Sequence, residues 1–357
     1  MGLPNVGKST IFNALTRSAQ ALAANYPFAT IEPNVGEVPV PDPRLGVLAD
    51  LSRSQRIVPA TMRFVDIAGL VRGAASGQGL GNAFLSHIRE TDAVAMVVRA
   101  FADDNVTHVE GAPDPLRDIE IITIEMALAD LATLAKRRDR LQREVRANPK
   151  ETPKLEALDR LIAALEAGRP ARAFPAGSLE AELARESFLL TAKPMLYVAN
   201  VDEAQITTPG PMAQAVFDHA KRENSRAIAF DGKIESEFAG MSEDDIALFR
   251  DDYGITSSGL DRLIVEAYDL LGLMTFLTTG EKETRAWTID KGTRAPQAAG
   301  KIHTDIERGF IRAEIVSYES YVTYKTMDAI RAAGKLRSEG KDYVMQEGDV
   351  VEFRFNV

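Results

Sequence analysis

The chain has no cysteine in its 357 residues. Disulfide bonds, thiolate metal sites and cysteine-based catalysis are therefore excluded. No apolar run approaches the roughly 20 residues needed to cross a bilayer. The first residues also lack the basic and apolar stretches of a secretion signal. These absences predict a cytoplasmic protein that does not associate with membranes.

The chain also lacks an excess of basic residues. The chain has 42 Lys and Arg against 52 Asp and Glu, a net charge of −10. This charge argues against indiscriminate nucleic-acid binding and predicts no DNA specificity, although a local basic face can still contact RNA. The hydrophobic share of 45% is that of a globular protein, and the length allows two or three domains.

The first part of the chain alternates short apolar runs with helical patterns. Residues 61–66, 93–98 and 194–200 are typical of strands, and the second has the continuous apolar character of a buried parallel strand. Strands that alternate with helices predict an α/β fold, with a mostly parallel sheet covered by helices on both faces.

The middle of the chain has a different composition, rich in Ala, Leu, Glu, Lys and Arg with leucines at helical spacing. Asn148, Pro149 and Pro153 interrupt it, which predicts two long helices in an antiparallel hairpin. Near the C-terminus, residues 310–316 and 349–355 alternate like half-exposed strands. We therefore expect an α/β domain at 1–114 and 188–273, a helical coiled-coil insertion at 115–187, and a small β-rich domain at 274–357.

Residues 2–9, GLPNVGKS, match the phosphate-loop pattern G-x-x-x-x-G-K-[ST]. Glycines let backbone N–H groups curl around phosphates, and the helix that follows points its positive end at them. Lys8 is expected to reach the β- and γ-phosphates, and Ser9 to ligate Mg²⁺. The pattern predicts a P-loop nucleotide hydrolase; the alternative is an ordinary loop before a helix. The nucleotide contacts expected here are Asn5, Val6, Gly7, Lys8, Ser9 and Thr10.

A phosphate loop normally follows a buried strand, yet only Met1 precedes Gly2. Because loss of a central strand would be severely destabilising, we expect the native start to lie some residues upstream. An intact-mass measurement on protein from its native source tests this expectation, and a start at Met1 would contradict it.

Two further signatures follow in the order expected of a nucleotide switch. Asp66 and Gly69 form D-x-x-G after an apolar run. The carboxylate is expected to hold Mg²⁺ through water, and the Gly69 amide to sense the γ-phosphate. Thr30, in NYPFAT, lies where a first switch loop supplies a second hydroxyl to Mg²⁺, or is an ordinary strand threonine. The glycine-rich residues 73–81 are expected to form a second switch.

The base-binding motif departs from the guanine pattern N-K-x-D. This chain has Asn200, Val201, Asp202 and Glu203, so a valine replaces the stacking lysine and a longer glutamate replaces the aspartate. Glutamate cannot sit in the same bidentate position without displacing the base. We therefore expect Asn200, Val201 and Glu203 to line a site that prefers ATP over GTP. The alternative is that Glu203 faces solvent and guanine specificity survives.

The residue that orients the attacking water is not evident. Leu70 stands where many GTPases have glutamine. Asn5 is a candidate to hold a K⁺ ion against the phosphates, and His108 is a candidate to position water, unless it is a solvated loop residue. With Lys8 and Gly69, these complete the expected catalytic residues, and intrinsic turnover is expected to be slow.

Together these segments resemble the YchF subfamily of Obg-related P-loop ATPases. The resemblance covers nearly the whole chain through GLPNVGKST, NYPFATIEPN, DIAGL, GQGLGNAFLSHIRETDA, N-x-x-E, RAWTI, IHTDIERGFIRAEIV and the terminal FRFNV. It implies a G domain, an inserted coiled coil and a C-terminal TGS domain. It also implies ATP preference, Mg²⁺ dependence, and association with the ribosome, its large subunit and RNA, in translation or stress regulation.

Some features lie outside this resemblance. Where relatives have a small-residue base loop, this chain has Phe230, Asp231, Gly232 and Lys233. Residues 136–146 form a basic stretch that either contacts ribosomal RNA or is a solvated helix face. A second candidate patch contains Arg331, Lys335, Arg337 and Lys341.

Three function classes remain open. The first is a ribosome-associated ATPase switch, whose nucleotide state orders the switch loops. The second is a guanine-specific GTPase assembly factor. The third is a nucleotide-binding module with negligible turnover.

Overall fold

The computed structural model describes residues 1–23, 34–67, 80–103, 111–238, 241, 243–252, 255 and 257–356. No helix in these ranges combines the length and the apolar character that a membrane crossing requires.

The strands of the described ranges are short, and many coincide with the apolar runs of the sequence. In chain order they are β1 Val35–Pro39, β2 Ile57–Val58, β3 Thr61–Val65, β4 Val94–Arg99, β5 Met195–Asn200, β6 Arg226–Phe230, β7 Leu273–Thr279, β8 Thr284–Asp290, β9 Phe310–Ser317, β10 Arg337–Glu339 and β11 Asp349–Phe355.

The helices vary more in length, from five residues to thirty-three. In chain order they are α1 Lys8–Ala23, α2 Arg44–Ser52, α3 Leu80–Arg89, α4 Pro115–Ala147, α5 Thr152–Glu166, α6 Leu179–Glu186, α7 Pro211–Arg222, α8 Gly232–Phe238, α9 Glu243–Asp252, α10 Gly259–Leu270, α11 Ala295–Ile302, α12 Thr304–Arg308, α13 Tyr318–Tyr324 and α14 Met327–Ala332.

The first compact unit comprises residues 1–14 and 65–263. At its centre β4, β5 and β6 form a parallel sheet, in which Val94 pairs with Met195 and Leu196 with Arg226. Every residue of β5 is buried, as expected for a parallel strand covered on both faces. The predicted α/β class and the strands at 61–66, 93–98 and 194–200 are confirmed.

The helical hairpin within this unit breaks where the sequence predicted. Helix α4 ends at Ala147, and α5 begins at Thr152 after a short 3-10 turn. Leucines of the two helices pack against each other in a core of their own. Its best-buried members are Leu134, Leu141, Ala157, Leu158, Leu161, Leu165, Ala171, Leu183, Ala184 and Leu189.

A buried carboxylate fixes the return from the hairpin to the sheet. Asp130 of α4 is fully buried and accepts hydrogen bonds from the backbone N–H groups of Leu190 and Thr191, both at 2.8 Å. The Thr191 hydroxyl donates to the same side chain at 2.7 Å. These bonds hold the chain just ahead of β5, the strand that ends at Asn200.

The second unit comprises residues 15–64 and 264–357. Its six-stranded sheet has the order β10-β9-β11-β7-β8-β2. The strands predicted near the C-terminus are confirmed as β9 and β11, which pair antiparallel. Alternate residues of the sheet pack on α11 around a core that includes Phe276, Ile315 and Phe353.

A segment from the N-terminal third contributes to this same sheet. Strand β2 pairs in parallel with β8, with Ile57 opposite Thr284. Helix α2 buries Leu45 and Leu48, and its Ser52 hydroxyl lies 3.1 Å from the Tyr321 hydroxyl. The sequence pattern alone did not indicate this long-range pairing. The domain boundaries expected from the sequence stay a prediction.

Candidate functional site

The phosphate loop leaves the edge of β4. The Val97 N–H donates to the Met1 carbonyl oxygen at 2.8 Å, and the Met1 nitrogen donates to the Ala95 carbonyl at 2.8 Å. Gly2 then approaches the strand so closely that a Cβ there would lie 2.4 Å from the Val97 carbonyl oxygen. A side chain at this position would displace the loop from the sheet.

Lys8 opens α1 and points back over its own loop. Its Nζ donates to the Leu3 carbonyl oxygen at 2.7 Å. Burial lowers the pKa of Lys8 from its ordinary value, and the nearby Asp66 carboxylate opposes that shift. The ammonium group is therefore held inside the loop at the helix N-terminus, the place where phosphate oxygens are expected.

Asn200 ties the loop to the rest of the sheet. Its Nδ2 donates to the Val6 carbonyl oxygen at 3.0 Å, and its Oδ1 accepts from the Gly232 N–H at 3.2 Å. Gly7 makes this possible, because its φ is +98° and a Cβ there would lie 2.3 Å from Asn200 Nδ2. The side chain predicted to contact the base thus braces both the phosphate loop and the loop after β6.

The residues predicted to line the base site differ in exposure. The Val201 side chain is buried and its N–H donates to the Phe230 carbonyl oxygen at 2.9 Å. Glu203 is exposed at the start of a 3-10 turn. A Cβ at Gly232 would lie 3.3 Å from Thr10 Cγ2, so the loop after β6 adjoins α1.

Asp231 is a buried acid that sequence reasoning left without a role. Its Oδ1 accepts from the N–H groups of Lys233 and Ile234 at 2.7 and 3.1 Å, which caps α8. Burial raises the pKa of Asp231, the two capping bonds lower it, and the carboxylates of Glu203 and Asp202 raise it. An aspartate between a strand and a helix is a helix-start signal that the sequence contained.

The structure describes only some of the residues predicted to bind the metal ion. Ser9 is exposed in the first turn of α1, and Asp66 follows β3, half-buried. Thr30 and Gly69 lie outside the described residues. Within the described ranges there is no cluster of three or more His, Cys, Asp or Glu side chains that could hold a metal ion. A switch-type Mg²⁺ site does not require one, because hydroxyls and phosphates supply most of its ligands.

The catalytic candidates are also incompletely described, since His108 lies outside the described residues. Asn5 is exposed, with a left-handed φ of +61°.

Arg99, which sequence reasoning missed, is buried at the end of β4. Its guanidinium donates to the carbonyl oxygens of Phe101 and Asp103 at 3.1 and 2.8 Å. The sequence did contain a signal for Arg99, because it is a charged residue at the end of an apolar strand.

Comparison with known proteins gives consistent results over both ends of the chain. A family model described as 50S ribosome-binding GTPase matches residues 1–153, and the model YchF-GTPase_C, a family of unknown function, matches residues 273–356. The "Ribosome-binding ATPase YchF" of Bacillus subtilis is 49% identical over 360 residues, covering 100% of this chain and 98% of that protein. The protein of the same name from Escherichia coli O157:H7 is 47% identical with the same coverage. The chain belongs to the YchF family.

Solved structures agree with this assignment. The structure titled "Structure of the Schizosaccharomyces pombe YchF GTPase" matches with a TM-score of 0.88 at 38% identity, covering 99% of this chain and 96% of that one. A GTP binding protein from Pyrococcus horikoshii matches with a TM-score of 0.61 at 20% identity, which supports the fold alone. The predicted YchF resemblance and the P-loop fold with a C-terminal domain are confirmed.

Proposed function

We propose that this chain is a YchF-type switch protein that binds ATP in preference to GTP, hydrolyses it slowly, and associates with the ribosome. The observation that carries the proposal is the phosphate loop braced by Asn200 beside a base segment that lacks the guanine-reading residues. Its relatives in Bacillus subtilis and Escherichia coli are named ribosome-binding ATPases, which supports the same conclusion.

The base segment supports ATP for two reasons. First, position 201 carries a valine whose side chain is 2% exposed, so no lysine stem stacks on the base from there. Second, Glu203 is exposed and one methylene longer than the aspartate that accepts from guanine N1–H and its 2-amino group. A guanine would leave those donors poorly matched, whereas adenine has no 2-amino group and an acceptor at N1.

Mg²⁺ fits the residues that the structure describes at the phosphate end. The Ser9 hydroxyl and the Asp66 carboxylate are oxygen donors of the type this ion prefers. The ion would neutralise charge on the β- and γ-phosphates. Lys8 would leave the Leu3 carbonyl oxygen to bind the same phosphates, Asp66 would act through a bound water, and Thr30 would supply the second hydroxyl.

Turnover is proposed to be slow because Leu70 offers no group that could orient water. Gly69 would donate its amide to the γ-phosphate, and His108 would position the attacking water. Asn5 would hold a K⁺ ion that stabilises the developing charge. Each of these roles is a prediction, and K⁺ dependence of the rate is the direct test for Asn5.

Ribosome association is proposed to involve the large subunit and its RNA, in the cytoplasm. The basic stretch 136–146 offers less free charge than its composition indicates. Arg137 pairs with Glu186, Arg138 with Asp159 and Arg140 with Glu144, at 2.5 to 2.8 Å. Lys136, Arg143 and Arg146 remain exposed, so any phosphate contact from this stretch would come chiefly from these three side chains.

A GTPase is the second candidate, because the yeast relative is titled a GTPase. Competition of ATP and GTP against a fluorescent nucleotide analogue, with Mg²⁺, separates the two. Tighter ATP binding is expected. Tighter GTP binding would overturn the base-site argument and leave the phosphate site intact. A separate measurement, stimulation of ATP turnover by ribosomes, would exclude a passive nucleotide-binding module.

A further inference from the structure

We propose that a groove beside the first half of α4 docks a basic amphipathic α-helix of a partner protein. The groove, here called the α4 groove, has a volume of about 550 Å³. Its walls are α4 from Leu116 to Leu131, the end of α5 with the segment up to Pro170, and the last turn of α7 with the residue after it, Glu223. It lies within the first compact unit and shares none of the nucleotide-site residues.

One wall carries a ridge of the kind that packs against another helix. Leu116, Glu120, Ile124 and Leu128 follow one another at intervals of four residues along α4, and all four line the groove. Rows of side chains spaced by four are the ridges that fit into the grooves of a neighbouring helix. An occupant in helical conformation therefore matches this wall better than an extended strand.

The apolar side chains of the ridge are partly exposed. Leu116, Ile124 and Leu128 are 36%, 50% and 50% exposed. Further along the same helix, Leu134 and Leu141 are 0% and 6% exposed, because α5 covers them. Leu128 is one of the leucines at helical spacing in the middle of the chain, yet half of its surface is exposed. Ile124 and Leu128 are neighbours one turn apart, and adjacent exposed apolar side chains of this kind mark an interaction site.

The opposite wall is held in place before any partner arrives. Arg172 donates to Glu223 Oε2 at 2.5 Å, and the Tyr197 hydroxyl donates to the same oxygen at 2.8 Å. His219 packs edge-on to the Tyr197 ring at 5.2 Å between centroids. A groove with preformed walls costs less conformational entropy to fill.

The charges around the ridge specify a basic occupant. Glu120 interrupts the ridge, and Glu166 also lines the groove; neither makes an ion pair in the part of the chain that the structure describes. Glu166 is the last residue of α5, where the helix dipole disfavours a carboxylate. Glu223 is neutralised by Arg172, whereas Arg169, which stacks over Phe174 at 4.5 Å, contributes a positive charge to the lining. Lysines flanking an apolar stripe would complement Glu120 and Glu166, which outnumber Arg169 in the lining, whereas RNA phosphates would meet more carboxylates than cations there.

The probe for this site is a fluorescein-labelled peptide of about 18 residues, roughly five helical turns, with leucines on one face, lysines beside them and alanine elsewhere. Its binding to the full chain is followed by fluorescence anisotropy. Leu128→Asp is expected to weaken binding by about tenfold or more, as for a central apolar contact. Glu120→Lys and Glu166→Lys are each expected to weaken it about fivefold, with a smaller loss at high salt.

Two variants serve as matched controls, Leu248→Asp for the apolar change and Glu156→Lys for the charge reversal. Leu248 is 67% exposed and Glu156 is exposed, and both lie outside the α4 groove. Both controls are expected to bind the peptide like the original chain, and a peptide with glutamates in place of lysines is expected not to bind. Absence of saturable binding, equal losses in Leu128→Asp and Leu248→Asp, or displacement of the peptide by a single-stranded RNA would each overturn the proposal.

Discussion

Asn200 and Val6 are joined by a hydrogen bond of 3.0 Å from the side-chain amide to the loop carbonyl oxygen, across 194 positions of sequence. The same amide accepts from Gly232. One buried side chain therefore sets the spacing between the phosphate loop and the loop after β6, the two segments that form the proposed nucleotide site.

Replacing this amide tests that relationship. Asn200→Ala leaves the Val6 carbonyl oxygen and the Gly232 N–H without their partner, so we expect a loss of about 1 to 3 kcal/mol in the free energy of unfolding. Nucleotide affinity should fall as well, because both loops lose their common support. Urea unfolding and fluorescent-nucleotide titration measure the two effects. Gln214→Ala, on an exposed face of α7, is the control, and an equal loss there would contradict the assignment.

Gly7→Ala tests the close approach at the same point. A methyl group at Gly7 would lie 2.3 Å from Asn200 Nδ2, on a backbone with φ of +98°. We expect nucleotide binding to be lost, because the loop has to shift away from Asn200. Gly46→Ala is the matched control, since a Cβ at Gly46, inside α2, would meet no atom within 4 Å beyond the backbone of its own helix. It should be neutral or stabilise the chain by about 0.5 to 1 kcal/mol, and nucleotide binding by Gly7→Ala at the original affinity would contradict the prediction.

Glu203→Asp tests the base preference directly. The shorter side chain restores the aspartate of the guanine pattern, so affinity for GTP relative to ATP should rise by about tenfold, equivalent to 1.4 kcal/mol. Competition titration with both nucleotides gives the ratio. Glu203→Gln removes the charge without shortening the side chain and should not increase GTP binding. If the ratio is the same in both variants, the length of the side chain at position 203 does not decide specificity.

Asp130→Ala tests the junction between the hairpin and the sheet. It removes the acceptor of two buried N–H groups and one hydroxyl. We expect the free energy of unfolding to fall by roughly 3 to 5 kcal/mol, as for the loss of a buried charged acceptor. Asp139→Ala, exposed on the same helix, should change it by less than about 0.5 kcal/mol. Comparable losses in the two variants would show that the buried bonds do not stabilise this junction.

His219 predicts a pH dependence of stability. Burial lowers the pKa of His219, while the nearby Glu223 opposes the shift. The unfolded chain therefore binds this proton more tightly than the folded chain does. The free energy of unfolding should fall as the pH is lowered through about 6.5, the ordinary histidine value. Denaturant unfolding from about pH 5 to 8 measures this pH dependence, which His219→Phe should lack and His87→Gln, at an exposed position, should keep. If the free energy of unfolding of His219→Phe depends on pH as in the original chain, the prediction is contradicted.

Much of the architecture was determined by local sequence pattern. The phosphate loop, the strands that end near Asp66 and Asn200, and the helix break at Pro149 all follow from glycine and proline placement and from apolar runs. These signals act between residues close in sequence, where backbone sterics and strand or helix periodicity dominate. The base motif could be recognised for the same reason, because its four residues are contiguous.

Other features depended on residues far apart in the chain. The brace from Asn200 to Val6, the pairing of β2 with β8 and the exposure of Leu128 have no local signature that fixes them. Hydrogen-bond partners and burial depend on which surfaces come into contact when the helices and strands pack. The local pattern of one sequence does not show which surfaces these are. The sequence by itself therefore determined which chemistry this protein has, and only the tertiary structure decided which side chains hold that chemistry in place.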